Sequence, residues 1–91
     1  MRVYGFDAVI HRGSSDSAYI IFPHDVKAEF GKSRVDVEAT INGERFIGSL
    51  YNMGVIDENG NMRCVLIITK GVRRKIGKTI GDVVNIKIKQ L

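Results

Sequence analysis

The stretch RVDVEATINGERFIGSLY, residues 34–51, leaves fewer folding choices than any other part of the chain. Val35, Val37, Ala39 and Ile41 alternate with Asp36, Glu38 and Thr40, and a period of two marks a strand with one buried face. Asn42-Gly43 follows at once. Both residues tolerate positive φ, which makes the pair the favoured occupant of a two-residue type I′ turn between antiparallel strands. Such a turn dictates the register. Ile41 opposes Glu44, Ala39 opposes Phe46, Val37 opposes Gly48 and Val35 opposes Leu50 on one face. Thr40 with Arg45, Glu38 with Ile47 and Asp36 with Ser49 fall on the other. A slip of one residue would turn the whole apolar set to solvent, so the register is strongly specified. The hairpin is expected to have an apolar inner face and a mildly acidic outer one.

The remaining segments share this β character. VYGFDAVI (3–10) reads as a strand before the polar loop HRGSSDS, and AYIIF (18–22) as a short buried strand stopped by Pro23. PHDVKAEFG predicts a helix of about two turns that opens at Pro23, turns Val26 and Phe30 to one face and stops at Gly31. A second Asn-Gly, Asn59-Gly60, joins YNMGVIDE to MRCVLIITK, whose apolar residues lie on both faces, as in the heart of a closed sheet. Gly48 and Gly54 mark the places where a long central strand would bend. Lys70 to Gly77 predicts a second short helix on Val72 and Ile76, and DVVNIKIK a last strand.

Two segments follow one grammar of strand, short helix, Gly-Lys, strand: approximately 18–50 and 62–91. At an offset of 46 residues Val26 matches Val72, Phe30 matches Ile76, Gly31 matches Gly77 and Lys32 matches Lys78. Each half has too small an apolar face to stand alone. The expected architecture is therefore all-β with two short helices: a small closed double-split β-barrel of about seven strands, with an internal pseudo-two-fold duplication, over residues 1–91 as one domain. The length of 91 residues suits one core. Cys64 is the single cysteine, so no internal disulfide can form and a cytoplasmic, bacterial setting is expected. No apolar run approaches a membrane span or a signal-peptide core, and no membrane association is expected.

GKT at Gly77–Thr79 has the look of a phosphate-binding loop, but the pattern around it argues otherwise. Gly71 and Gly77 stand one residue too far apart, and the intervening residues form a helix before the Gly-Lys rather than after it. Gly77 reads instead as a helix stop, like Gly31. His11, Ser14, Ser15, Asp16, Ser17 and His24 include the types of a hydrolytic triad, yet nothing draws them together, and a polar loop accounts for them. The two histidines and Cys64 lack metal-ligand spacing, and Cys64 reads as an inert core thiol. No cofactor, metal or catalytic residue is expected.

Charge is the one uneven feature. Residues 1–69 carry a net −2, whereas residues 70–91 carry +6. Arg73, Arg74, Lys75 and Lys78 surround the second helix, with both arginines expected to point sideways or outward. Cations at a helix C-terminus complement its dipole, and the same cluster could also grip phosphates. The matching positions of the first half, Lys27, Ala28 and Glu29, are far less basic, so such a surface would be one-sided.

FPHDVKAEFGKSRVDVEATINGERFIGSLY together with VRRKIGKTIGDVVNIKI resembles the domain of unknown function 1905 family over nearly the whole chain. That resemblance implies a compact double-split β-barrel and no established activity. ITKGVRRKIGKTIGDVVNI also resembles the AbrB and MazE type of swapped-hairpin regulator, with Thr69 where those proteins carry proline. It implies DNA contact through Arg73 and Arg74. The expectation is thus a non-enzymatic binding or interaction module, monomeric or weakly dimeric, with an unidentified partner that is either a protein or DNA. DNA would be bound through Arg73, Arg74, Lys75 and Lys78. A small molecule bound or transformed in the barrel mouth is the third reading.

Overall fold

In the computed structural model, which describes residues 3–91, Asn42 has φ 49° and Gly43 φ 86°, the left-handed pair that the tight turn requires. The hairpin they close joins β4 (Val35–Ile41) to β5 (Glu44–Ile56). All seven pairs follow the register expected from the turn, from Ile41 with Glu44 to Val35 with Leu50. Val35, Val37, Ala39, Ile41 and Leu50 are buried on the inner face.

Around this hairpin the chain adds β1 (Val3–Val9), β2 (His11–Arg12), β3 (Ala18–Ile21), β6 (Met62–Ile67) and β7 (Val83–Gln90), with α1 (Val26–Phe30) and α2 (Lys70–Ile76) as the two helices. The strands form one antiparallel sheet in the order β1-β7-β4-β5-β6-β3-β2. Its concave side encloses a core that includes Ile10, Ile20, Phe22, Leu66, Ile86 and Ile88, all fully buried. β5 bends where its pairing with β6 shifts between Asn52 and Val55. Gly54 sits in that bulge with φ 78°, a conformation that an L side chain disfavours. Gly48 serves a different need: a Cβ there would stand 2.8 Å from Leu66 Cδ1.

Both helices are capped at each end by local chemistry. Asp25 caps α1, its Oδ1 accepting from the Ala28 amide at 3.2 Å, and Thr69 caps α2, its hydroxyl accepting from the Val72 amide at 3.3 Å. Gly31 and Gly77 end the helices in the left-handed conformation, as expected of helix stops. Pro23 and His24 precede the cap, so α1 is shorter than the expected two turns. Val72 and Ile76 pack on the core but stay half-buried.

The sheet is a half-barrel, not the closed barrel expected. Its two edge strands, β1 and β2, are successive parts of one N-terminal segment joined through Ile10. The Ile10 amide donates to the Asp82 carbonyl at 3.0 Å, on the β7 side, whereas His11 already pairs with Tyr19 of β3. Extending the β2–β3 register backwards would set Val9 against Ile21 and Asp7 against Pro23. Proline has no amide to give to that ladder, and the chain turns away into α1. A seam therefore opens between β1 and β3. Aromatic side chains plug its inner side in place of backbone bonds. Phe22 meets Tyr4 edge-on with centroids 5.3 Å apart and Phe6 at 5.8 Å, and Tyr4 meets Phe30 at 5.4 Å.

Because Phe22 touches Tyr4, Phe6 and Phe30 of this plug and is fully buried, Phe22→Ala should cost about 3–5 kcal/mol. Ile47→Ser, on the exposed outer face of β5, should stay within about 0.5 kcal/mol. Urea unfolding of the two variants against the parent checks both.

Candidate functional site

α2 begins at the Thr69 cap and lays Val72 and Ile76 on the core, which sends its basic residues in several directions. Arg73 is half-buried. Its Nη2 donates to the Asp16 carbonyl at 2.8 Å, and its Nε is buried without a partner. It therefore reaches sideways to clasp the Gly13–Ser17 turn, the first of the two directions that the sequence left open. That turn needs a clasp. Ser15 and Asp16 both have positive φ, and among the described residues the Gly13–Ser17 and Ser17–Ser14 backbone bonds are the other contacts that hold it. Lys75 Nζ lies 3.3 Å from Glu44 Oε1, a surface pair that ties the helix to the start of β5. Arg74 and Lys78 are exposed, as is Lys70. These three, with Arg73, Gly77 and Thr79, line a shallow depression of about 320 Å³ that contains no carboxylate. Of the four basic residues expected to act together, two are thus engaged with the protein itself. Arg74 and Lys78 remain available, joined by Lys70.

A second concavity of about 540 Å³ lies in the seam. Phe6, Ala8, Ile21 and Pro23 contribute its apolar lining, and Asp7, Asp57, Glu58 and Arg63 its charged one. The Asp57–Asn61 turn that forms one wall is held from within. Asp57 Oδ1 accepts from the Asn59 and Asn61 amides, both at 2.9 Å, and Arg63 Nε stands 3.1 Å from Oδ2. The Asn61 amide first, and then Arg63 and the Asn59 amide, outweigh desolvation and hold the Asp57 carboxyl below its ordinary pKa of 3.8.

A third, smaller cleft of about 220 Å³ is lined by His24, Asp25, Lys27, Ser33 and Cys64, among others. Cys64 is half-buried, packed against the edge of the core and lining this cleft rather than fully enclosed like Leu66 and Ile68 on the same face. Burial first, and the Asp25 charge second, push its thiol pKa above the ordinary value, so it is held in the protonated, less reactive form. The residues of the imagined triad stay apart. His11 stacks on Tyr19 at 5.4 Å, His24 packs against Tyr4 and Phe22, and neither imidazole is hydrogen-bonded to a serine among the described residues. Among those residues no group of three metal-binding side chains converges, and no helix is long and apolar enough to cross a membrane.

A family model described as a domain of unknown function, DUF1905, matches residues 6–88. The chain belongs to the DUF1905 family. The match runs from β1 to β7 and therefore includes the seam, both helices and the basic depression of this DUF1905 domain. No curated protein matches the chain. Sequence reasoning missed the seam groove because its lining comes from strands far apart in the chain. The one local signal was Pro23 at the end of a strand, which announces a ladder that stops.

Two measurements follow from these contacts. Arg73→Ala should lower stability by about 1 kcal/mol through loss of the bond to Asp16, whereas Arg74→Ala should change it by less than about 0.5 kcal/mol. Paired thermal melts would separate them. Asp57, its folded pKa depressed, adds stability above its ordinary value of 3.8, and that contribution disappears as pH falls through the lower folded value. Urea midpoints recorded from pH 6 downward should therefore fall further for the parent than for Asp57→Asn.

Proposed function

We propose that this chain is a small binding module without catalytic chemistry of its own, and that it grips a phosphate-bearing partner, nucleic acid in the first place, beside α2. One observation carries the reading: Lys70, Arg74 and Lys78 surround a depression free of carboxylates on a chain whose remaining surface is of mixed sign. The α2 carbonyls do not repel an anion strongly there. The Gly77 amide donates to the Arg74 carbonyl at 3.3 Å, and the Lys78 amide to the Arg73 carbonyl at 3.2 Å, so the last turn is already capped. Three mobile cations on a shallow surface suit a ridge of phosphates better than a small enclosed substrate.

The resemblance to AbrB-type regulators points the same way, with one change of residue. Arg73 is occupied by the Asp16 carbonyl, so the DNA role of the arginine pair passes to Arg74 with Lys78 and Lys70. An internal duplication is part of the same proposal. The pairing of β3 with β6 and of β4 with β7 supports it, since each couples equivalent strands of the two half-units. The first half presents Lys27, Ala28 and Glu29 where the second presents its cations, so one half binds and the other does not.

Fluorescence anisotropy with labelled duplex DNA across a salt series tests the reading. Three cations that each neutralise one phosphate give a slope of about −2 to −3 in log K against log salt. Arg74→Ala and Lys78→Ala should each reduce its magnitude by about 1. Absence of binding at low salt, or binding unchanged in the double variant, would overturn the proposal.

A further inference from the structure

The seam between β1 and β3 has an open hydrogen-bonding edge, and the geometry points to it as a site where an extended peptide bearing lysine or arginine adds a strand to β1. It shares no lining residue with the basic depression beside α2, so the two surfaces stand or fall separately.

Main-chain groups of an antiparallel strand face its two neighbours alternately. Ile10 is bonded to Asp82 on the β7 side, so Ala8, Phe6 and Tyr4, which pair with Val84, Ile86 and Ile88, face β7 as well. Val3, Gly5, Asp7 and Val9 turn their amides and carbonyls the other way, along the edge that β3 abandons at Pro23. His11, next in this series, faces Tyr19, so the open edge runs straight on from a paired one. A peptide on β1 would take the lane that β3 leaves empty.

Edge strands of this length are usually protected by lysine, proline or a covering loop. Val3–Val9 carries Asp7 as its one charge and no proline. Val9 and Ile56, on either side of the groove, remain 40% and 58% exposed. Phe6 and Ala8 offer an apolar floor to every second side chain of an incoming strand. The intervening side chains would pass Asp7 and approach Glu58. Asp57 is already paired with Arg63, so the charge left unbalanced in the groove is acidic, and it selects a basic partner.

The probe is fluorescein-labelled Val-Lys-Val-Arg-Val-Lys-Val, which matches the seven residues of β1, titrated with the full chain. A version with glutamate at the three basic positions is the charge control. Two versions N-methylated at alternate residues, in opposite parity, report strand addition, because only one set of amides faces β1. We expect the basic peptide to bind, the acidic one not to bind, and one N-methylated peptide to bind while the other fails. Asp7→Pro removes an edge amide, the acidic side chain and the bond from Asn85 Nδ2, but no backbone bond to β7, and should weaken binding at least about tenfold, the factor for one lost hydrogen bond. Glu58→Lys lies in an exposed turn, leaves folding unaffected and should weaken it too. Unchanged circular dichroism confirms that both variants are folded. No binding by the basic peptide, equal behaviour of the two N-methylated peptides, or affinity unchanged in Glu58→Lys would overturn the inference. Sedimentation that shows the chain pairing with itself through β1, with no displacement by the peptide, would overturn it in favour of a second copy as the occupant.

Discussion

The N-terminal segment has to satisfy two neighbours on opposite sides, and it does so by changing partner at Ile10. Before that residue the segment is bonded to β7, and after it to β3. Ile10 is fully buried at the change, which anchors the crossing point in the core. Everything particular to this fold follows from the change of partner. One segment supplies both edges of the sheet, so the strands curve round a single core without a ladder that closes. Covalent continuity at Ile10 takes the place of hydrogen bonds on one side of the seam. On the other side the aromatic plug of Tyr4, Phe6, Phe22 and Phe30 fills the gap.

A seam closed by side chains differs physically from one closed by a ladder. Backbone groups left at the edge must find water or a partner, because an unmade bond in a buried setting is costly. Here β1 is an edge strand with every second residue exposed, so its outward backbone groups lie within reach of solvent. The basic depression at α2 depends on a separate economy of contacts. Arg73 holds the strained Gly13–Ser17 turn and Lys75 leans on Glu44, so the charge count of the helix overstates what is available for binding.

Much of the architecture was legible in the sequence. The β4–β5 register, the two short helices with their glycine stops, most of the strands and the bend at Gly54 are all governed by residues within a few positions of one another. The family was legible for the same reason, since its pattern consists of these local signals in a given order. The candidate sites were less so. Arg73 and Arg74 are adjacent and chemically identical, yet one is half-buried against Asp16, 57 residues away, and the other faces solvent. No periodicity separates them. The seam groove likewise draws on β1, β3, β5 and β6, and its existence depends on a ladder failing at Pro23 rather than on any motif.

By itself the sequence determined most of the strands, where the helices end and how the central hairpin is aligned, but it read β2 as part of a loop. Turn chemistry, period-two burial and capping act over a few residues and leave little freedom. Tertiary structure alone decided that the sheet remains a half-barrel, that the seam lies beside β1, and which cations stay free. Those outcomes hinge on distant elements meeting at Ile10, Phe22 and Asp16. Whether a backbone donor or a guanidinium finds a partner there depends on geometry that exists only once the sheet has curved.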